Sequence, residues 1–152
     1  MERRRLAEEL HCALKHYSFV IENLGEILEK LIRLYIRKEK QIFKDYIDKV
    51  TIARHELRAL YYEVLKVNID LFDFIIDKVR QVRGLISVLE REAIFNKDFE
   101  LDDKMEHALL EDILDCKGNL YAIEKHLITV KGNYYYEHKK SEETCSGENK
   151  EV

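Results

Sequence analysis

The chain has 152 residues, with 26 basic and 30 acidic side chains, a net charge of −4, no proline and five glycines. One domain of this length buries most of its apolar surface without staples, and a β-rich fold would need the Gly and Pro turns that are scarce here, so helix is expected throughout. Residues 1–66 carry 14 basic and 11 acidic side chains and the rest 12 and 19, which lacks the bias of a dedicated nucleic-acid binder.

The first predicted element follows the spacing of Leu6, Leu10, Ala13, Tyr17, Val20, Leu24, Ile27, Leu31 and Leu34. Steps of four and three alternate, so these residues share one helix face as a heptad seam. Leu14, Ile21, Leu28 and Tyr35 widen it into a stripe suited to a bundle core. A second seam runs Phe43, Tyr46, Val50, Ala53, Leu57, Leu60, Val64, Val67, Leu71 and Phe74, then drifts through Val79, Val82, Ile86 and Leu89. A third runs Met105, Leu109, Ile113, Cys116, Leu120, Ile123, Leu127, Val130 and Tyr134. The expected architecture is an all-α, elongated antiparallel bundle of three long helices with coiled-coil-like packing. A break near Asn68 to Asp70 would make four.

The boundaries differ in clarity. Asn96 to Asp103 reads as a loop, and Asp102 or Asp103 as the N-cap of the last helix. Between Ile36 and Thr51 no Gly or Pro marks a stop, and the one signal is a shift in heptad phase near Lys38 and Gln41. A turn is expected near Lys49 with Thr51 as a weak N-cap; an unbroken helix there would demand a dimer or a swapped assembly. The apolar period stops at Ser141, so residues 1–140 are expected to form a single domain and 141–152 a disordered tail.

Chemistry is sparse. There is no phosphate-cradling glycine loop and no nucleophile elbow. His55-Glu56 begins a zinc-protease pattern, but Ala59 stands where the second histidine belongs. Glu8 and His11 form a single Glu-x-x-His pair where di-iron bundles need two. Asp103 and His107 are more simply a helix N-terminal charge beside a surface histidine. No catalytic residue, metal site or cofactor is assigned, and the expectation is a non-enzyme. Cys12, Cys116 and Cys145 have neither disulfide nor metal spacing, and no apolar run suits a membrane span or signal peptide. A cytoplasmic location is expected, or a nuclear one in a eukaryote.

The leading expectation is a structural or interaction protein, a scaffold that self-associates as a homodimer or binds a protein partner. Its seams carry more apolar flank than one core stripe requires. Phe19, Ile32, Ile36, Phe72 and Ile76 are the expected contact residues, joined by Tyr135 and Tyr136 of the triple tyrosine. The alternative is a nucleic-acid-associated module using Arg33, Arg37, Lys40 and Lys44, which recur at helical spacing. Nearby Glu29, Glu39, Asp45 and Asp48 make a solvated mixed face the plainer reading. The heptads resemble those of helical adaptors and spectrin-like bundles, a likeness that specifies no activity. Finally, Arg5 and His11 have an Arg-x5-His spacing that resembles a catalytic motif of helical ribonuclease toxins, the HEPN class. That likeness implies RNA cleavage centred on His11, although the motif lies late in those domains and in the first helical turns here.

Overall fold

The structure is a computed structural model that describes residues 2–151, with the side chains of residues 4–136. Four α-helices run among the described residues: α1 Glu2–Lys38, α2 Gln41–Leu65, α3 Phe72–Phe95 and α4 Lys104–Glu151. Each antiparallel contact is fixed by side chains far apart in sequence. Tyr17 meets Leu57 across α1 and α2, Lys78 meets Glu56 across α2 and α3, Arg80 meets Glu124 across α3 and α4, and Glu9 meets His126 across α1 and α4. The helices therefore run up and down in order, with the most extensive contact between α1 and α4 and the sparsest between α2 and α3.

The seams become the core. From Ala13 to Leu34 every predicted α1 seam residue is fully buried, as are Leu109, Ile113, Cys116, Leu120, Ile123, Leu127 and Val130 of α4. Burial pushes the Cys116 thiol up to about 12, so it is an inert core side chain. A tyrosine on a core seam is expected to bury its ring and send its hydroxyl outward, and Tyr17 departs from this. Its ring is buried completely, and its hydroxyl, instead of reaching outward, donates to the Leu57 carbonyl at 2.5 Å. The hydroxyl finds its partner inside the core, and burial raises its pKa well above that of a free tyrosine. Met105 and Tyr134, at the two ends of the third seam, are exposed.

The break near Asn68 to Asp70 is present and makes the helices four, while the first turn lies elsewhere than expected. The chain turns at Glu39 and Lys40, not at Lys49. Glu39 takes a left-handed conformation with φ 53°, its amide donates to Tyr35 at 2.8 Å, and Lys40 is extended. Thr51 lies inside α2 and donates to the Ile47 carbonyl, so it caps nothing. The second seam is really two helices. Val67 takes φ 56°, a 3-10 turn follows over Ile69–Leu71, and α3 starts in a new phase. The phase change buries Phe72, Ile75 and Ile76 and leaves Phe74 exposed, reversing the order extrapolated from α2.

The Asn96–Asp103 loop holds more structure than a linker. Phe99 is fully buried and plugs the bundle end, its ring 4.8 Å from Phe43 and 6.4 Å from Tyr46 between centroids. Asp103 caps α4 by accepting from the Glu106 amide at 2.8 Å. Glu106 returns the bond by accepting from the Asp102 amide at 2.7 Å, a close variant of the reciprocal capping box. Beyond residue 140, where a tail is expected, the backbone of α4 continues as helix. Among the described residues no helix is long and apolar enough to cross a membrane.

Candidate functional site

The expected contact residues do not assemble into one surface. Phe72 and Ile76 are core side chains, because the register of α3 is set after the break at Val67. Phe19, Ile32 and Ile36 are exposed, with Ile32 and Ile36 one turn apart on one side of α1 and Phe19 on another. Phe19 packs edge-on against His16, which bonds to α4. Ile32 falls one heptad beyond Gly25, where the Arg54 guanidinium of α2 lies against α1. Tyr135 and Tyr136 are exposed on α4, with Lys131 over the Tyr135 ring.

The expected basic strip is divided by the turn. Arg33 and Arg37 belong to α1, while Lys40 precedes α2 and Lys44 lies within it. Arg37 is already engaged. Its guanidinium donates to both Glu106 oxygens at 2.7 Å and to Asp102 at 2.8 Å, and the Glu106 contact strengthens its hold on its proton. Arg33 lies 3.9 Å from Asp103. These arginines tie the end of α1 to the start of α4. Arg5, Glu8 and His11 are exposed on α1 and His55 is exposed on α2, and Glu8 pairs with Arg4 at 3.4 Å.

Two features went unread in the sequence. The first is a row of polar side chains beside the apolar seam of α1: Glu9, His16, Asn23, Lys30 and Arg37, one per heptad. Each meets α4. Glu9 accepts from His126 Nδ1 at 2.5 Å. His16 Nδ1 donates to Asn119 Oδ1 and Asn119 Nδ2 donates to Asn23 Oδ1, both at 2.9 Å. The carboxylate and the amide oxygens only accept, which places the proton on Nδ1 in both histidines. The His16 and His126 rings lie parallel, 5.8 Å apart. Lys30 pairs with Asp112, both nearly buried. Asp112 Oδ2 has no well-aligned hydrogen bond and relies on the ammonium beside it. Burial and the neighbouring Asp112 carboxyl push Glu26 above the usual carboxylate range.

A second row binds α4 to α3. Lys117 pairs with Glu90, Glu124 with Arg80 and Arg83, and Lys131 with Asp73. Burial alone would raise the Glu124 carboxyl, but hydrogen bonds and charge from the two arginines outweigh it and hold it below the usual range. The core seam of α4 thus lies between two charged rows, each specific to one neighbour.

The other unread feature is apolar and outward. Leu114, Tyr121, Ile128 and Tyr135 recur every seven residues on α4 and are 59%, 61%, 46% and 49% exposed. The row spans ~32 Å at 1.5 Å per residue. Arg83 lies over the Tyr121 ring, 5.8 Å from its centroid. The sparse α2–α3 contact leaves a further shallow groove of about 240 Å³ over Ile52, Ala53, Val82 and Leu85. Its rim carries Lys49, Glu56, Lys78 and Gln81. At the α3–α4 corner an open cleft of about 560 Å³ is bordered by Ile94, Phe95, Leu101, His107 and Leu110. Among the described residues no group of three or more His, Cys, Asp or Glu side chains is placed to hold a metal ion. Comparison with protein-family models, curated proteins and solved structures finds no match.

Proposed function

We propose that this chain is a non-enzymatic helical interaction protein, which presents the outer faces of its bundle to a second copy or to a protein partner. The observation that carries this reading is the exposed row of Leu114, Tyr121, Ile128 and Tyr135. The core is already filled by α1 to α4, and this further heptad of large apolar side chains lies outside it, about half exposed even where Arg83 and Lys131 lie over the tyrosine rings. It leaves apolar area in water that burial against a partner would remove. Tyrosine at two of the four positions suits a contact surface, since it adds large area with few rotatable bonds.

The test is site-specific photo-cross-linking in cells. A photoreactive residue replaces Tyr121 or Ile128 in turn, with the outward positions Lys15 and Glu22 on α1 as controls. Cross-links to protein from α4 and none from the control sites are expected. Equal or absent cross-linking at all four positions would sink the reading.

A further inference from the structure

We infer that the outer face of α4 is a self-complementary seam on which a second copy of this chain docks antiparallel, large side chains seated over glycines. The inference rests on the interaction reading above and adds its partner and geometry.

Four more exposed residues interleave with the apolar row: Glu111, Gly118, Lys125 and Gly132. Together they read Glu111, Leu114, Gly118, Tyr121, Lys125, Ile128, Gly132 and Tyr135, alternating steps of three and four. This is a second heptad seam on the same helix, facing away from the core. It is unusual in alternating large apolar residues with glycines and charges.

Among the described residues nothing approaches Gly118 or Gly132 closely enough to call for a glycine. A helical glycine is a poor choice unless something approaches closely. Gly25 has that reason, for a Cβ there would lie 3.2 Å from the Arg54 guanidinium, which donates to the Ile21 carbonyl. At Gly118 and Gly132 a Cβ would meet nothing within 4 Å. Gly84 is equally unconstrained, and exposed Val88 lies one turn from it, but its heptad neighbours Asp77 and Arg91 are both charged and Gln81 interrupts the apolar row of Phe74, Val88 and Phe95 beside it.

Antiparallel pairing makes use of both features. In the register that sets Leu114 over the other copy's Gly132, Ile128 falls over its Gly118. The same register brings Lys125 to the Tyr121 ring and Glu111 to the Tyr135 hydroxyl of the second copy, a cation–π contact and a hydrogen bond. Parallel pairing would instead stack Lys125 on Lys125, Glu111 on Glu111, and glycine on glycine. Charge and shape therefore both select the antiparallel dimer.

The test is sedimentation velocity of the full chain from about 1 to about 300 µM, a range suited to an interface at the small end of stable complexes. A monomer–dimer equilibrium is expected. Gly118→Gln with Gly132→Gln fills both hollows with a good helix former and meets nothing inside the chain. That variant should melt no lower than the parent and associate at least about tenfold more weakly, while Gly84→Gln associates like the parent. In a Cys12→Ser, Cys145→Ser background, a spin label at Glu111→Cys should read a like-to-like distance of about 36 Å, against about 10 Å for a parallel pair. A dimer indifferent to the double glutamine variant would overturn this inference and leave the wider interaction reading standing. A monomer at every concentration would also overturn it, and photo-cross-links from Tyr121 or Ile128 to a different protein would then show that the wider reading survives.

Discussion

The α1–α4 and α2–α3 contacts are built from the same kind of amphipathic helix, yet they are held very differently. Between α1 and α4 a polar side chain meets a partner at every heptad, from Glu9 at one end to Arg37 at the other. Between α2 and α3 the described ion pair is Lys78 with Glu56 at 2.7 Å, beside an open groove. Apolar seams alone tolerate sliding by a heptad, because every layer resembles the next. A sequence of unlike polar partners does not, since the slide that sets Lys30 against Asn119 also carries Arg37 away from Glu106 and leaves that carboxylate buried without its cation. The first contact thus fixes register, and the second leaves surface.

The strongest way to break this contrast is Lys30→Met, which keeps the apolar stem and removes the charge. Asp112 and Glu26 are then left together in the contact, and a loss of about 3 kcal/mol is expected. Thermal melts should show a fall of about 6–12 °C. Adding Asp112→Leu should restore most of it, because a buried ion pair contributes little over apolar side chains of similar volume. If the single variant melts with the parent, the pair is not a register lock.

Glu124→Gln probes the second charged row through pH. The native carboxyl is held below its ordinary value, so its stabilising contribution is present above the unfolded carboxylate pKa and is lost as pH falls through the lower folded value. At pH 7 the variant should lose about 2 kcal/mol. Melting curves taken at successively lower pH should converge with those of the parent. A constant gap down to strongly acidic pH would show that the loss is one of packing.

Val67→Asn addresses the α2–α3 junction. A β-branched residue at φ 56° is strained, and asparagine adopts this conformation more readily. A gain of about 1 kcal/mol is expected, seen as a shift of a few degrees in the melt. The smallest effect belongs to Lys78→Met, where a partly exposed pair should matter by less than about 0.5 kcal/mol in denaturant titration. A loss as large as that of Lys30→Met would erase the distinction between the two contacts.

Much of this was legible in the chain itself. The seams of α1 and α4 name their buried residues almost completely, because a heptad period on a long helix leaves one face to bury. The capping pair Asp103 and Glu106 is also readable, as an acidic N-cap followed three residues later by glutamate. The polar row from Glu9 to Arg37 and the outer row from Leu114 to Tyr135 have a period of seven and were open to inspection. Neither resembles an apolar core seam, because the first row is polar and the second alternates apolar side chains with glycines and charges.

By itself, the sequence determined that the chain is helical, which face each long helix buries and where the last helix begins, since these follow from local periodicity and capping. Only the tertiary structure decided that the chain turns at Glu39 and again at Val67, because both adopt left-handed conformations that their residue types disfavour and that packing imposes. It also decided that Phe72 and Ile76 lie inside while Phe74 lies outside, since the phase of α3 restarts after that turn. The inward bond of the Tyr17 hydroxyl and the burial of Phe99 were settled the same way, by neighbours distant in sequence that supply the Leu57 carbonyl and the Phe43 ring.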